Sequence, residues 1–292
     1  MLQFFVNAYQ NTVAFKIEFC RDARSGVKKS FLVLLLTGIL LSGLPPSEGA
    51  VREKRESLQA ARVPILLYHR FGPAVTDSMT VTCPVFESHL IYLRDHGYTV
   101  IRLKQLVDYY LGKTAVPPPS KAVVIVADDG HKSVYSYMLP LVMKYHVPVT
   151  LFIYPSAISN ASYAMTWDQV KVLKNTGLFD VQGHTYWHPN FKIEKKRLPL
   201  GEYDKFVDMQ LKKSKEKLEN ELGGEVSMLA WPFGIYDDYL VRRAAKAGYA
   251  AGFTIERRSA EPSDNIMTLP RFLLTNKDGG RAFAAIVRGV NP

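Results

Sequence analysis

Ala122-Val123-Val124-Ile125-Val126-Ala127-Asp128-Asp129-Gly130 decides the fold. Six apolar residues run without a polar interruption, as in a strand buried on both faces of a parallel sheet, and end abruptly in two carboxylates and a glycine. Working outward, short apolar runs alternate with longer amphipathic stretches from residue 62 onward. Strands are expected at Val63–Leu67, Tyr98–Ile101, Val149–Ile153, Phe179–Gln182, Val226–Ala230, Tyr249–Phe253 and Ile266–Leu269. Thr82-Cys83-Pro84 supplies an N-cap and a first-turn proline for a helix to about Asp95, and a second helix is expected over Lys104–Leu111. Repeated βα units of this kind predict an α/β fold, a distorted (β/α) barrel of seven or eight units.

Composition agrees with one such domain plus an N-terminal extra. The chain has 292 residues, 47% hydrophobic and 22% charged, which excludes a disordered or collagen-like polymer. Residues 31–44, FLVLLLTGILLSGL, follow Arg24, Lys28 and Lys29 and precede Pro45-Pro46. A run of 14 is short for a bilayer span but suits an export signal, with Ser47 and Gly49 as the small residues before a cleavage at Ala50. The first 30 residues are long for the start of such a signal, which a downstream start site would explain. The division expected is therefore 1–50 as extension and signal or membrane tether, and 51–292 as the folded domain, placed in the periplasm, outside the cell or on the membrane. Of the two cysteines, Cys20 would be removed and Cys83 left as a lone structural thiol, so any metal must be held by His, Asp or Glu.

The formal charge is +10, and the 32 basic and 24 acidic residues of 51–292 still leave that part at +8. The basic residues are scattered or interleaved with acids, as between Glu202 and Glu221, which reads as a solvated helix face. With no nucleic-acid module in sight, nucleic-acid binding is not expected.

Reactive groups of parallel barrels sit where strands end. Asp128-Asp129-Gly130 follow one strand, His184-Thr185-Tyr186-Trp187-His188 another, and Trp231-Pro232-Phe233-Gly234 a third. Adjacent buried carboxylates must share a cation or differ in protonation, and two histidines four residues apart can face one point. One carboxylate and two histidines make a site for Zn²⁺ or a similar divalent ion. Taken singly, an Asp-Asp pair is more often a helix cap and HxxxH is common by chance; the joint placement at strand ends carries the reading.

These stretches, over roughly residues 62–275, resemble the polysaccharide deacetylases of the NodB-homology type, the family 4 carbohydrate esterases. Val126-Ala127-Asp128-Asp129-Gly130 is similar to the family's first motif and His184–His188 to its second. The opening Pro64-Ile65-Leu66-Leu67-Tyr68-His69-Arg70 and Ala230-Trp231-Pro232-Phe233-Gly234 resemble the exported subgroup acting on poly-N-acetylglucosamine. The resemblance implies one divalent metal ion, zinc first with cobalt or nickel as alternatives, on Asp129, His184 and His188. It implies Asp128 as general base and the main-chain N–H of Phe233 as oxyanion donor, with an N-acetylated polysaccharide as substrate.

Three departures follow. Val126-Ala127 replace the usual Thr-Phe, and the arginine often found before the third motif's proline is missing, which makes Arg271 a candidate to orient Asp128. The histidine that serves as general acid in many members also has no counterpart, since no histidine follows His188. His69 could take its place, because barrel closure brings the first strand beside the last; a hydrogen-bonded structural role is the competing reading. His131 is a second candidate, more simply a loop residue, while His89, His96 and His146 read as structural. Tyr186, Trp187 and Trp231 are candidates to stack on sugar rings, with core packing as the alternative for at least one of them; Trp167 reads as core. A non-catalytic carbohydrate-binding relative is the alternative from another class, and peptidoglycan or a small amide the alternative substrate.

Overall fold

The computed structural model describes residues 62–290. The expected signal or tether at 31–44, its cleavage site and Cys20 lie outside the described residues.

Ten strands and eight α-helices alternate along these residues. The strands are β1 Ile65–Tyr68, β2 Arg70–Gly72, β3 Thr80–Thr82, β4 Thr99–Val100, β5 Ala122–Asp128, β6 Val149–Ile153, β7 Phe179–Gly183, β8 Met228–Ala230, β9 Ala251–Phe253 and β10 Phe272–Leu273. The helices are α1 Cys83–Asp95, α2 Leu103–Tyr110, α3 Leu139–Tyr145, α4 Trp167–Asn175, α5 Phe191–Arg197, α6 Leu200–Leu222, α7 Asp238–Lys246 and α8 Gly280–Val287. Seven strands form one parallel, hydrogen-bonded path in the order β10-β1-β5-β6-β7-β8-β9, with β4 added beside β5. The sheet curls into a distorted barrel. Its open edge is bridged by Leu269, whose N–H donates to the Gly252 carbonyl and whose carbonyl accepts the Thr254 N–H, just before β10 returns to pair with β1.

Alternation along the strands sorts side chains into two layers. Ile65, Leu67, Val124, Val126, Phe152, Met228, Ala230, Ala251 and Phe253 pack together on one side. Leu66, Tyr68, Val123, Ile125, Ala127 and Leu151 pack against the helices on the other. Continuing the first parity to the end of β5 and one residue past β1 brings Asp128 and His69 onto the inner side, so the pattern that fills the core also aims two polar residues at one mouth.

Three expectations change. Ile266–Thr268 is a 3-10 turn, capped by the Asn265 side chain on the Met267 N–H, and the last strand is Phe272–Leu273 instead. Pro270, which has no N–H, separates the two. Arg70–Gly72 and Thr80–Thr82 pair in parallel as a small sheet of their own, too short to show periodicity. Thr82 sits at the α1 N-cap, but its hydroxyl donates to Asn276 Oδ1 at 2.9 Å and makes no cap bond. Among the described residues no helix is long and apolar enough to cross a membrane.

Candidate active site

Asp128 is the last residue of β5 and 2% exposed. Arg271, wholly buried one residue before β10, donates from Nη1 to Asp128 Oδ1 at 2.8 Å and from Nη2 to Oδ2 at 2.9 Å, while its Nε donates to the Thr254 carbonyl. Burial by itself would raise the Asp128 pKa; the Arg271 guanidinium outweighs it and holds the carboxyl below its ordinary range. A paired buried charge of this kind is costly to break, because removing one member strands the other.

Asp129 stands one residue on and behaves oppositely. Burial, reinforced by the Asp128 charge, raises its pKa despite the opposing fields of His69, Arg70 and Arg271. Its backbone turns left-handed at φ 74°, followed by Gly130 at φ 72°. A Cβ on Gly130 would lie 2.9 Å from Ile158 Cδ1 and 3.1 Å from Ile153 Cγ2, so only glycine fits this turn.

His184 follows β7. Its Nδ1–H donates to the Ala230 carbonyl at 2.8 Å, which fixes the tautomer and leaves Nε2 with a free lone pair. Nε2 stands 3.6 Å from Asp129 Oδ1 and 3.8 Å from Asp128 Oδ2. Burial pushes His184 down to about 3, so the ring stays neutral. His188 Nε2 stands 3.7 Å from the same Asp129 oxygen, and burial lowers its pKa as well.

The loop carrying these rings is held from beneath by α6. Gln210 Oε1 accepts the N–H groups of both Tyr186 and Trp187, and Ser214 Oγ donates to the Thr185 carbonyl. Thr185 and His188 adopt left-handed φ of 63° and 62°. Of the six described non-glycine residues at positive φ, four, namely Asp129, Thr185, His188 and Phe233, belong to this site; each costs on the order of 1–3 kcal/mol, so the surrounding bonds must hold them there.

Asp129, His184 and His188 therefore bring one carboxylate oxygen and two imidazole nitrogens within 4.8 Å of one another. A tetrahedral ion with bonds of about 2.0–2.2 Å needs ligand atoms roughly 3.4 Å apart, close to the distances present. Two neutral rings and a carboxylate raised by burial fit a divalent cation.

The cleft above these groups is about 700 Å³ and is lined also by His69, Arg70, Met79, Tyr154, Tyr163, Trp231, Phe233, Ile255 and Leu273. His69, placed by the β1–β10 pairing, is half-buried, with its Nδ1 enclosed and unpartnered among the described residues; burial lowers its pKa against the pull of Asp128 and Asp129. Phe233 sits in a turn at φ 55°, its ring edge-on to His188 at 4.6 Å.

His131 lines a neighbouring hollow, with Nδ1 bonded to Ser133 Oγ, and not this cleft. His89 is buried between the Tyr68 hydroxyl and the Asp278 carbonyl. Trp231 corrects an expectation: it is completely buried, with its indole N–H bonded to the Met267 carbonyl, so it has no free face for a sugar. Tyr186 and Trp187, unlike Trp231, do not line the cleft; Lys213 covers Tyr186, and Trp187, though exposed, packs on Phe206. Trp167 is half-buried against the outer core.

Sequence reasoning did not find Gln210, Ser214, Arg70, Tyr154 or Tyr163. For the first two a signal existed. On α6 they share the stripe of Tyr203, Val207, Leu211 and Leu218, and a polar residue on a buried stripe needs a partner.

An Asp-Asp-His-His cluster stands at the mouth of a curled parallel sheet, and residues 115–252, which hold all four of these residues, match the family model "Polysaccharide deacetylase". Over 209 residues it is 26% identical to the poly-beta-1,6-N-acetyl-D-glucosamine N-deacetylase of Staphylococcus epidermidis, covering 70% of this chain and 71% of that one. Solved structures with the same fold include IcaB from Ammonifex degensii, with TM-score 0.68, 24% identity, and 78% of this chain and 97% of that one covered. Another is the Streptococcus pyogenes deacetylase PplD in complex with acetate, with TM-score 0.68, 21% identity, and 79% and 99% covered.

Proposed function

We propose that this chain is an exported, metal-dependent hydrolase that removes N-acetyl groups from an N-acetylglucosamine polysaccharide. The observation that carries the reading is the pairing of two unlike aspartates. Asp128 is kept ionised by Arg271, and Asp129 converges with His184 and His188 on one point of the same cleft. The Staphylococcus epidermidis relative, named for the poly-β-1,6-linked polymer, supports the substrate class.

A divalent ion on Asp129, His184 and His188, zinc by the donor set, would polarise the acetamide carbonyl and acidify water. Asp128, ionised at neutral pH, takes the proton from the attacking water. The Phe233 N–H donates to the oxygen that gains charge, and Arg271 keeps the base pointed at the cleft. His69, which lines the cleft in the field of both carboxylates, gives a proton to the departing amine. The export reading rests on residues 31–44.

The test is acetate release from β-1,6- and β-1,4-linked N-acetylglucosamine oligomers, with and without chelator. Release that stops with chelator and returns with zinc is expected, faster on one linkage than the other. No release from either series by fully zinc-loaded protein overturns the reading, in favour of peptidoglycan, a small amide or carbohydrate binding alone.

A further inference from the structure

The proposed reaction needs a hold on the polymer; of the three aromatic residues singled out from the sequence, Trp231 is buried, and Tyr186 and Trp187 do not line the cleft. The cleft does expose another. Tyr163 is 41% exposed and lines the wall beside Asp129 and His188, facing a cleft whose lining also includes Phe233, 55% exposed, and Ile255, 41% exposed.

Tyr163 is fixed in place by its neighbours. Its carbonyl accepts the Lys132 N–H at 2.8 Å, Ala164 bridges His131, and the Met165 N–H donates to the Gly130 carbonyl, so the main chain on either side is strapped to the turn that follows Asp129. Its hydroxyl meets that of Tyr154 at 2.8 Å, and the Tyr154 ring lies 5.3 Å from His188. The His131 ring is nearly parallel to that of Tyr163, 9° between planes at 6.3 Å. A large side chain this constrained, left open on a cleft wall, loses little further freedom when a ligand covers it. Of the two protons on the Tyr154–Tyr163 pair, one lies between the oxygens and the other is left for a ligand.

We infer that Tyr163, braced by Tyr154 and the 130–132 turn, binds the pyranose next to the one that is deacetylated, laying its ring against the C–H face of the sugar and its hydroxyl against a sugar hydroxyl. The inference rests on the polysaccharide reading above and names a residue that sets the preference for polymer over small acetyl compounds. Apolar ring faces and one well-placed polar group are what sugar sites use.

The experiment compares kcat/KM on N-acetylglucosamine oligomers of two to six sugars, of the linkage the wild type prefers, with kcat/KM on p-nitrophenyl acetate. Both use the zinc-loaded full chain and its Tyr163→Ala, Tyr163→Leu and Tyr163→Phe variants. The hexamer-to-ester ratio is expected to fall about tenfold in Tyr163→Ala and Tyr163→Leu, mainly through KM, and to recover most of the way in Tyr163→Phe, which keeps the ring. Direct titration of the hexamer should show the same order of affinities. Tyr163→Leu preserves bulk in the wall, so it decides the matter if Tyr163→Ala does not fold. A wild-type ratio in either folded variant overturns the inference, as does a loss equal on oligomer and ester, which would mark a structural role. If the wild type fails on every oligomer, the functional reading falls and takes this inference with it.

Discussion

Asp128 and Asp129 are neighbours in the chain, chemically identical and both largely enclosed, yet the fold drives them apart. Asp128 ends a strand, faces the barrel interior and meets the two terminal guanidinium nitrogens of Arg271. Asp129 begins the loop in a left-handed conformation, points to two imidazoles and carries a raised pKa. Burial is nearly common to the two; a cation delivered from a residue 143 positions away is not. The difference shows how one strand end can supply both a base held ionised at neutral pH and a carboxylate that awaits a cation, simply by turning the backbone between them.

The sharpest way to break this contrast is to remove each charge in turn. Asp128→Asn should keep the metal and lose acetate release by about 10²–10⁴-fold, the range for removing a general base. Asp129→Asn should lose the metal itself, measured by elemental analysis after dialysis. Equal metal loss in both variants would show that the two carboxylates are not divided as the geometry says. His69→Ala comes next, at roughly 10²-fold, with metal retained and the alkaline limb of kcat/KM altered; a near-normal rate with an unchanged profile would return His69 to a structural role.

How far the sequence carried this contrast depends on distance along the chain. The β5 run, the strand ends and the spacing of His184 and His188 are local, and periodicity exposes them. Asp128–Arg271 crosses the barrel, and only the absence of an arginine near Trp231 drew attention to Arg271 at all. The last strand was misplaced because Ile266–Leu269 is apolar enough for a strand, while Asn265 caps it into a turn and Leu269 supplies a single bridge. Trp231 looked like a sugar platform because loop aromatics after a strand often are; that its indole would reach the Met267 carbonyl is a tertiary fact. Tyr163 lies in a loop with no period, and its exposure depends on the straps to residues 130–132.

Arg271→Lys tests the origin of the contrast more gently. A lysine keeps the charge but loses the two-pronged contact, so the Asp128 pKa should rise and the acid limb of kcat/KM should move to higher pH, with about a tenfold loss at neutral pH. If the limb stays where it is, the ionisation of Asp128 does not depend on the paired geometry.

The smallest effect is on stability, and here the two aspartates should differ in sign. In metal-free protein the raised pKa of Asp129 means that its charged form is disfavoured in the folded state, so folding carries a cost that is full at neutral pH and fades once acid protonates the carboxyl in both states. Asp128, with its pKa lowered, instead contributes stability above its ordinary range that disappears as pH falls through its folded value. With chelator present, Asp129→Asn should raise Tm at pH 7, on the order of 2–4 °C, the shift that about 1 kcal/mol produces in a domain of this size, and the gain should shrink toward pH 4. Asp128→Asn should lower Tm at pH 7, because Arg271 is left buried against a neutral amide, and the loss should persist at pH 4, which is still above the lowered folded value. Melting curves of the two chelated variants at pH 4 and pH 7 would show this. Shifts of the same sign at pH 7 would mean that Arg271 serves both carboxylates alike, and the division between them would have to come from the metal alone.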